Sequence, residues 1–229
     1  MTVSLVLLFL VYVVFLAVVS YRPTKRLGIR GWLLFLLVIW TFNNTIVLYG
    51  AKMFKTYFVH GGTIMSSSMF PTLSVEHADL IIVNKWLYKT PCRGDVVMCT
   101  LRGPLFDEKT LGRQVKRIVG LPGDTIDIQE PYVLVNGQKL IEPEIFTKIS
   151  TLQQNYSGYY RAESMDLPTF LHDSIVSLPI TLRPDEYFVL GDNSYYSADS
   201  RFIGPIRRED IHGRVVRIIY PISRFGLIE

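Results

Sequence analysis

Two long apolar runs near the start of the sequence most constrain what this chain can fold into. The first run, Val3 to Ser20, departs from apolar residues only at Ser4 and Tyr12, and its length is close to what a helix needs to cross a bilayer. A cleaved secretory leader has a basic segment before a shorter apolar core, but no Lys or Arg precedes this run. We therefore predict a retained transmembrane helix over residues 3–20.

The second apolar run extends from Trp32 to Ala51 and contains Asn43, Asn44 and Thr45. Polar side chains are costly in hydrocarbon unless they find a partner, so an interfacial or buried helix remains an alternative. The run is nevertheless about 20 residues long, which is enough to span a membrane. We predict a second transmembrane helix over residues 32–51.

The loop between the two runs, residues 21–31, is basic and places the rest of the chain relative to the membrane. Positively charged loops stay on the cytoplasmic side, so the large C-terminal part should lie outside the cytoplasm. We therefore predict a membrane anchor over 1–55 and an extracytoplasmic domain over 56–229. The net charge of +4 is otherwise dispersed, which favours contact with anionic lipid headgroups over nucleic acid. The basic residues of the loop are Arg22, Lys25, Arg26 and Arg30.

From Tyr57 onwards, short β-like segments alternate with turn signals, which predicts a mainly β domain with an antiparallel, barrel-like sheet system. The strongest hairpin signal is Asn136-Gly137, a pair that adopts the tight turn of two-residue hairpins. Residues 142–182 are less regular; they form either an insertion that shapes substrate access or a loop-rich flank. The predicted strands are Leu80 to Asn84, Asp95 to Thr100, Gln114 to Val119, Thr125 to Ile128, Val133 to Val135, Glu186 to Leu190 and Arg214 to Tyr220.

The sequence contains only two cysteines, Cys92 and Cys99. They cannot form a four-cysteine zinc site, and no nearby pair of histidines completes one, so we expect neither a metal nor a cofactor. A disulfide between them would require an oxidising compartment and suitable geometry. Because Cys99 ends a predicted strand, free thiols are favoured.

The segment Ser66 to Leu73 could carry chemistry, because three serines precede a Pro-Thr pair in a predicted tight turn. Such a turn can hold a serine oxygen beside backbone N–H groups that stabilise an oxyanion. The alternative is a Ser-rich connection between the anchor and the domain. The usual base for a serine nucleophile is histidine, but each histidine of the chain stands alone in a polar or turn-like setting, which favours structural roles. The histidines are His60, His77, His172 and His212.

Lys116 is the candidate base for a nucleophile at Ser68. Strand alternation puts Lys116 on the same face as Ile118 and Arg117 on the other. A lysine on an apolar face has a lowered pKa, because burial disfavours its charged form, and it can then act as a general base. The alternative is an edge strand from which Lys116 and Arg117 both point to solvent.

Several blocks of this sequence, in this order, resemble the conserved boxes of type I signal peptidases, also called leader peptidases. The resemblance covers most of the region from Ser66 to Gly204, and two preceding membrane spans agree with it. One block alone would be a weak signal, whereas four in the family's order are a strong one. The blocks are Ser66 to Leu73, Arg93 to Val97, Lys116 to Asp124, and Gly191 to Asn193 followed by Ser197 to Arg201 and Gly204.

The resemblance implies a role for individual residues of this chain. It implies that Ser68 is the nucleophile and Lys116 the general base. It implies further that the Ser66 hydroxyl and the Ser68 N–H form the oxyanion hole, and that Ser197 orients the Lys116 amine. Asp199 would form a structural ion pair with Arg201 near the site.

The sequence departs from the family's pattern in two places, and both bear on the shape of the pocket. Ser67 stands where many members have Gly, and Tyr195-Tyr196 replaces residues that are commonly polar. Family relatives of the endoplasmic reticulum and archaea use His in place of Lys, and Lys116 disfavours that group.

We therefore expect a serine endopeptidase of the bacterial cytoplasmic membrane, multi-pass, that removes signal peptides from exported preproteins after small residues. Its partners would be those signal peptides and membrane lipid, and the sequence leaves open whether it lies near the secretion machinery. A specialised relative that matures conjugative pilin and a non-enzymatic scaffold that kept the peptidase fold remain alternatives. Self-cleaving repressors share the Ser-Lys chemistry, but they begin with a DNA-binding motif and not with membrane spans.

Overall fold

The structure is a computed structural model that describes residues 28–57, 59–85, 88–102, 113–165 and 174–228. The predicted first span, residues 3–20, lies outside the described residues, and so does most of the basic loop. The chain divides into two compact units with the boundary between Thr56 and Tyr57.

Among the described residues, the first unit contains a long helix, α1 (Ile29–Tyr57), of 29 residues, the last of which belongs to the second unit. Its segment Gly31–Lys52 is long and apolar enough to cross a membrane, by length and composition. No proline interrupts it, so the backbone can satisfy its own hydrogen bonds, as a lipid environment requires. The helix contains the whole of the predicted second run and makes it a candidate membrane span.

Two of the polar residues that lie inside the apolar run of α1 have hydrogen-bond partners on the helix itself. The Asn44 side-chain amide donates to the Trp40 carbonyl at 2.9 Å. The Thr45 hydroxyl donates to the carbonyl of Thr41 at 2.7 Å. Because these bonds stay within one turn of the helix, they lower the cost of polar side chains in an apolar segment.

The second unit consists mainly of antiparallel strands, which confirms the predicted class of fold. Two short helices, α2 (Glu144–Ser150) and α3 (Ser200–Ile203), accompany the strands. In chain order the strands are β1 (Val59–Thr63), β2 (Leu80–Asn84), β3 (Val96–Thr100), β4 (Arg113–Gly120), β5 (Thr125–Gln129), β6 (Tyr132–Val135), β7 (Gln138–Lys139), β8 (Ile180–Thr181), β9 (Glu186–Leu190), β10 (Ile206–Arg207), β11 (Ile211–Tyr220) and β12 (Gly226–Leu227).

The strands of the described residues form two sheets. The larger sheet has eight strands in the order β1-β2-β11-β3-β4-β9-β10, with β12 paired to β11, and the smaller one has the order β7-β6-β5-β8. The hairpin predicted at Asn136-Gly137 joins β6 to β7. Strand β4 lies inside the larger sheet between β3 and β9, so both of its edges are paired and its side chains can be buried on both faces.

All seven predicted strands are present, and the differences from the predictions have local causes. Strand β11 starts at Ile211, three residues before the predicted start. The prediction missed these residues because a register shift between Ile211 and Gly213 interrupts the strand pattern there. Strand β1 was not predicted, since its sequence Val-His-Gly-Gly-Thr contains two glycines and glycine disfavours strand interiors. Pairing with β2 along its full length forms the strand despite that preference.

The stretch 142–182 contributes to the core of the second unit. Helix α2 buries Ile145, Phe146 and Ile149 in an apolar cluster that also includes strands of the smaller sheet. Tyr156 and Tyr159 are buried in the same cluster. Residues 166–173, within this stretch, lie outside the described residues.

Gly120, at the end of β4, lies where three apolar side chains converge. A Cβ atom at this position would lie 2.7 Å from Leu182 Cδ1, 2.8 Å from Phe188 Cβ and 2.9 Å from Ile126 Cδ1. Real Cβ contacts are almost never shorter than 3.0 Å. The absence of a side chain therefore lets strands of the two sheets pack closely here.

We expect Gly120→Ala to lower the free energy of unfolding by about 1–3 kcal/mol, the usual cost of overpacking a core. Guanidinium unfolding of the detergent-solubilised chain measures the change. Gly62→Ala is the matched control, because a Cβ at this β1 glycine meets no atom within 4 Å. Equal effects at the two glycines would show that Gly120 is not close-packed.

Candidate active site

Ser68 lies in a single 3-10 turn, Ser67–Met69, that follows β1. Met69 is buried in an apolar cluster that also contains Leu73, so apolar packing anchors the turn on both sides of Pro71. The backbone of the turn is held by Asn193, whose N–H donates to the Ser68 carbonyl at 3.0 Å. The position of the Ser68 hydroxyl is therefore set by a turn that is fixed at several points.

Lys116 lies on β4 with its side chain buried, and its Nζ donates to Ser68 Oγ at 2.8 Å. Burial is the main reason that the pKa of Lys116 is lowered; the positive charge of Arg201 also lowers it, while the carboxylates of Asp199 and Asp192 raise it. Burial also raises the pKa of the Cys99 thiol to about 12, so this nearby group is uncharged at neutral pH.

The alternative in which Lys116 and Arg117 both point to solvent is wrong. Arg117, on the opposite face of β4, has no exposed surface, and it forms a two-pronged ion pair with Asp192. Its Nε donates to Asp192 Oδ1 at 2.8 Å and its Nη2 to Oδ2 at 2.6 Å. A third donor, Nη1, reaches the Gly94 carbonyl at 2.7 Å. Both faces of β4 are thus buried, and each basic side chain has its own partner.

Ser66 Oγ lies 3.2 Å from Ser68 Oγ. A cleft of about 310 Å³ begins beside Ser66, lined by residues 63–66, Met69 and residues 113–115. These segments are the continuation of β1 and the first half of β4. Met69 and Val115 in this lining are the chain neighbours of Ser68 and Lys116, so the cleft lies beside the Ser68–Lys116 contact.

The predicted ion pair between Asp199 and Arg201 is present and buried. Arg201 Nε donates to Asp199 Oδ1 at 2.8 Å and Nη2 to Oδ2 at 2.9 Å. Asp199 Oδ2 also accepts the Gly191 N–H at 3.1 Å. Burial by itself would raise the pKa of Asp199. The charge and the hydrogen bond of Arg201 help to hold that pKa below its usual value. The pair connects the segment around Ser197 to the end of β9.

Ser197 is buried, and its hydroxyl lies near Asp199, where it helps to lower the pKa of that carboxyl, but it forms no hydrogen bond with the Lys116 amine. The bond to the Lys116 amine that the sequence predicted is thus not formed in this structure, and the orienting role of Ser197 stays a prediction. Gly191 brings this serine close to the turn that carries Ser68. A Cβ at Gly191 would lie 2.3 Å from Ser197 Oγ and 2.5 Å from the Ser68 carbonyl oxygen.

The histidines that the structure describes have partners other than Ser68. The His77 ring contacts Ser74 Oγ at 2.9 Å, and His212 Nε2 lies 2.6 Å from Thr100 Oγ1. The side chains of His60 and His172 lie outside the described part of the structure. Within that part, no group of three or more His, Cys, Asp or Glu residues is arranged to hold a metal ion. Cys92 is exposed, Cys99 is buried, and both are free thiols.

The sequence model of the family described as "Signal peptidase, peptidase S26" matches residues 35–220. The chain belongs to this family.

Several individual signal peptidases are similar in sequence to this chain, over about three quarters of its length. A probable signal peptidase I-2 of Synechocystis sp. is 31% identical over 176 residues, which cover 76% of this chain and 69% of the relative. Signal peptidase I P of Bacillus subtilis subsp. natto is 32% identical over 187 residues, or 78% of this chain and 84% of the relative. A solved signal peptidase I from Enterococcus faecalis V583 is 27% identical and covers 55% of this chain and 97% of its own, with a TM-score of 0.38.

Sequence reasoning on the peptidase assigned no role to Arg117, Asp192 or Thr72, although all three lie in the blocks that resemble the family. Their adjacency in sequence to Lys116, Asn193 and the Ser68 turn was the available signal. Periodicity alone could not show that Arg117 is buried with a partner, because its partner lies 75 residues away.

We expect Asp199→Asn to cost this peptidase about 3–5 kcal/mol of unfolding free energy, because it leaves the charge of Arg201 buried without its partner. Guanidinium unfolding of the detergent-solubilised chain measures the cost. Glu209→Gln is the control, since Glu209 lies 3.9 Å from Arg207 with both side chains largely exposed; exposed pairs contribute about 0–1 kcal/mol. A small loss at Asp199, comparable to that at Glu209, would contradict the expectation.

Proposed function

We propose that this chain is a membrane-anchored serine endopeptidase that removes signal peptides from exported preproteins with a Ser68–Lys116 dyad. The observation that carries the proposal is the 2.8 Å contact between a buried lysine amine and a serine hydroxyl, beside an open cleft. Family membership and the named relatives support the substrate class.

In the proposed reaction, neutral Lys116 accepts the proton of Ser68 while the serine oxygen attacks the scissile carbonyl. Lysine suits this task only where burial lowers its pKa, and arginine cannot replace it because arginine stays protonated. Lys116 then donates its proton to the leaving amine, and the first product departs. A water molecule, activated in turn by Lys116, hydrolyses the ester on Ser68 and regenerates the enzyme.

The tetrahedral intermediate carries a negative oxygen that needs hydrogen-bond donors. We assign this stabilisation to the Ser66 hydroxyl and the Ser68 backbone N–H. Ser66 Oγ already lies 3.2 Å from Ser68 Oγ, within reach of an oxygen on the carbon that Ser68 attacks. Donors of this kind act strongly in a site from which water is excluded.

An extended substrate would bind in the cleft between the continuation of β1 and the start of β4. Strand β1 forms one edge of the larger sheet as far as the structure describes it, and an edge strand can pair with an added peptide strand. The apolar side chains of Ile64, Met69 and Val115 line the same cleft and would restrict it to small substrate side chains. This arrangement supports cleavage after residues such as Ala.

We assign the peptidase to the bacterial cytoplasmic membrane, with the catalytic unit on the extracytoplasmic side. Helix α1 supports one membrane crossing by its length and composition. The second crossing, over residues 3–20, rests on the sequence pattern alone. Anchorage would keep the site near the membrane in which a signal peptide is held, and would also place it within reach of the secretion machinery.

A cleavage assay on single serine variants tests the dyad. The full chain in detergent is incubated with labelled preproteins, and the new N-termini are sequenced. We expect almost no cleavage by Ser68→Ala, and a loss of about a hundred- to a thousandfold for Ser66→Ala, the usual effect of removing one oxyanion donor. Ser67→Ala is the matched control, because this exposed side chain lies between the two and should retain activity within about twofold. Cleavage by Ser68→Ala at the wild-type rate would exclude Ser68 as nucleophile, and would favour a contaminating protease over this chain.

The pH dependence tests the base. Below its pKa Lys116 is charged and cannot accept a proton, so kcat/KM should rise as the pH increases through that pKa. Because burial lowers the pKa of Lys116, the rise should occur well below about 10.4, the ordinary pKa of lysine. Lys116→Arg should be inactive throughout the pH range, since its guanidinium stays protonated. An active Lys116→Arg variant would rule out Lys116 as the base.

A further inference from the structure

Tyr156, in the stretch 142–182, contacts the segment that carries the proposed nucleophile. Its hydroxyl lies 2.9 Å from Thr72 Oγ1, and Thr72 Oγ1 donates to Asp192 Oδ2 at 2.5 Å. Asp192 is the partner of Arg117 in the buried ion pair described above. These four residues, Tyr156, Thr72, Asp192 and Arg117, form one continuous chain of hydrogen bonds, which we call the Tyr156 relay.

Three members of the Tyr156 relay lie close in sequence to groups of the proposed dyad. Arg117 directly follows Lys116 on β4, and Thr72 lies four residues after Ser68. Asp192 directly precedes Asn193, whose N–H donates to the Ser68 carbonyl. The relay therefore joins three separate segments at the points where each of them approaches the site.

The number of hydroxyl hydrogens decides which group donates each hydrogen bond in the Tyr156 relay. Thr72 has a single hydroxyl hydrogen, and that hydrogen goes to Asp192, which accepts only. The Tyr156 hydroxyl must then be the donor to Thr72. Burial and the charge of Asp192 raise the pKa of Tyr156, so the phenol keeps its proton at neutral pH. Each side-chain hydroxyl of the relay thus has a defined partner.

We propose that Tyr156, acting through Thr72 and the Asp192–Arg117 pair, is a positioning residue that holds Ser68 Oγ against Lys116 Nζ. The inference rests on the proposed function, because it concerns the geometry of that dyad. Small displacements of reacting groups reduce rates strongly, and polar groups buried behind a site maintain its geometry. The relay also gives the stretch 142–182 a defined task in the peptidase.

Single-turnover cleavage distinguishes positioning from a general effect on folding. Full-length enzyme in detergent is used in saturating excess over a labelled preprotein. A loss of folded enzyme then raises the concentration needed for half-saturation, but it leaves the rate constant at saturation unchanged. A displaced Ser68 lowers that rate constant itself.

We expect Tyr156→Phe and Thr72→Val each to lower the saturating rate constant by about threefold to tenfold, the fold-change equivalent to one hydrogen bond. The half-saturating enzyme concentration should be unchanged. Thr72→Ser keeps the hydroxyl and should restore the rate to within about twofold. The double variant should be no slower than Thr72→Val alone, because both changes interrupt the same relay.

Thr125→Val is the matched control. Thr125 Oγ1 forms a hydroxyl–hydroxyl bond with Thr181 Oγ1 at 2.9 Å in the smaller sheet, and its loss should leave the saturating rate constant unchanged. A wild-type rate constant in Tyr156→Phe, or a Thr72→Ser variant as slow as Thr72→Val, would overturn the positioning role. If Ser68→Ala cleaved as fast as wild type, the proposed function itself would fail and the relay with it.

Discussion

The contact between the Lys116 amine and the Ser68 hydroxyl depends on removing a lysine from water. A charged amine in an apolar interior is unfavourable, so the fold has to surround Lys116 with strands on both sides and cover it with side chains. Its place on β4 between β3 and β9 meets that requirement. The turn that carries Ser68 then covers the amine, with Met69 and Leu73 anchored in the apolar cluster beside it.

The two buried ion pairs near this contact affect the charge of Lys116 in the same way. Unpaired, the carboxylates of Asp192 and Asp199 would favour a charged lysine, because a nearby negative charge raises the pKa of an amine. Each is instead paired with an arginine, Arg117 or Arg201, whose positive charge offsets part of its effect. Burial therefore remains the main influence on the pKa of Lys116. The pairs also connect distant segments, so the electrostatics and the geometry of the site are determined by the same residues.

Much of the fold could be predicted because its elements follow local rules. The apolar run of α1, the short β-like segments bounded by turn residues and the Asn-Gly turn each depend on neighbouring residues. The predictions were less complete where pairing overrode local preference, as in the glycine-containing β1. The candidate site could be predicted where its residues lie in the short sequence blocks that resemble the family. Ser68 lies within hydrogen-bond distance of both Lys116 and Ser66, while the roles that the blocks imply for them stay a proposal. The Ser197 hydroxyl forms no hydrogen bond with the Lys116 amine in the part of the chain that the structure describes.

Contiguous residues were enough to predict an apolar helix, a mainly antiparallel β unit and the groups that could react, because periodicity and motif spacing are local properties. Which charges are buried, and what they bind, became visible only in the folded chain. It paired Arg117 with Asp192 and connected Tyr156 to Thr72. Both interactions join residues that are far apart in the chain. Each depends on the burial of a side chain by distant segments, and the sequence around that side chain does not show which segments cover it.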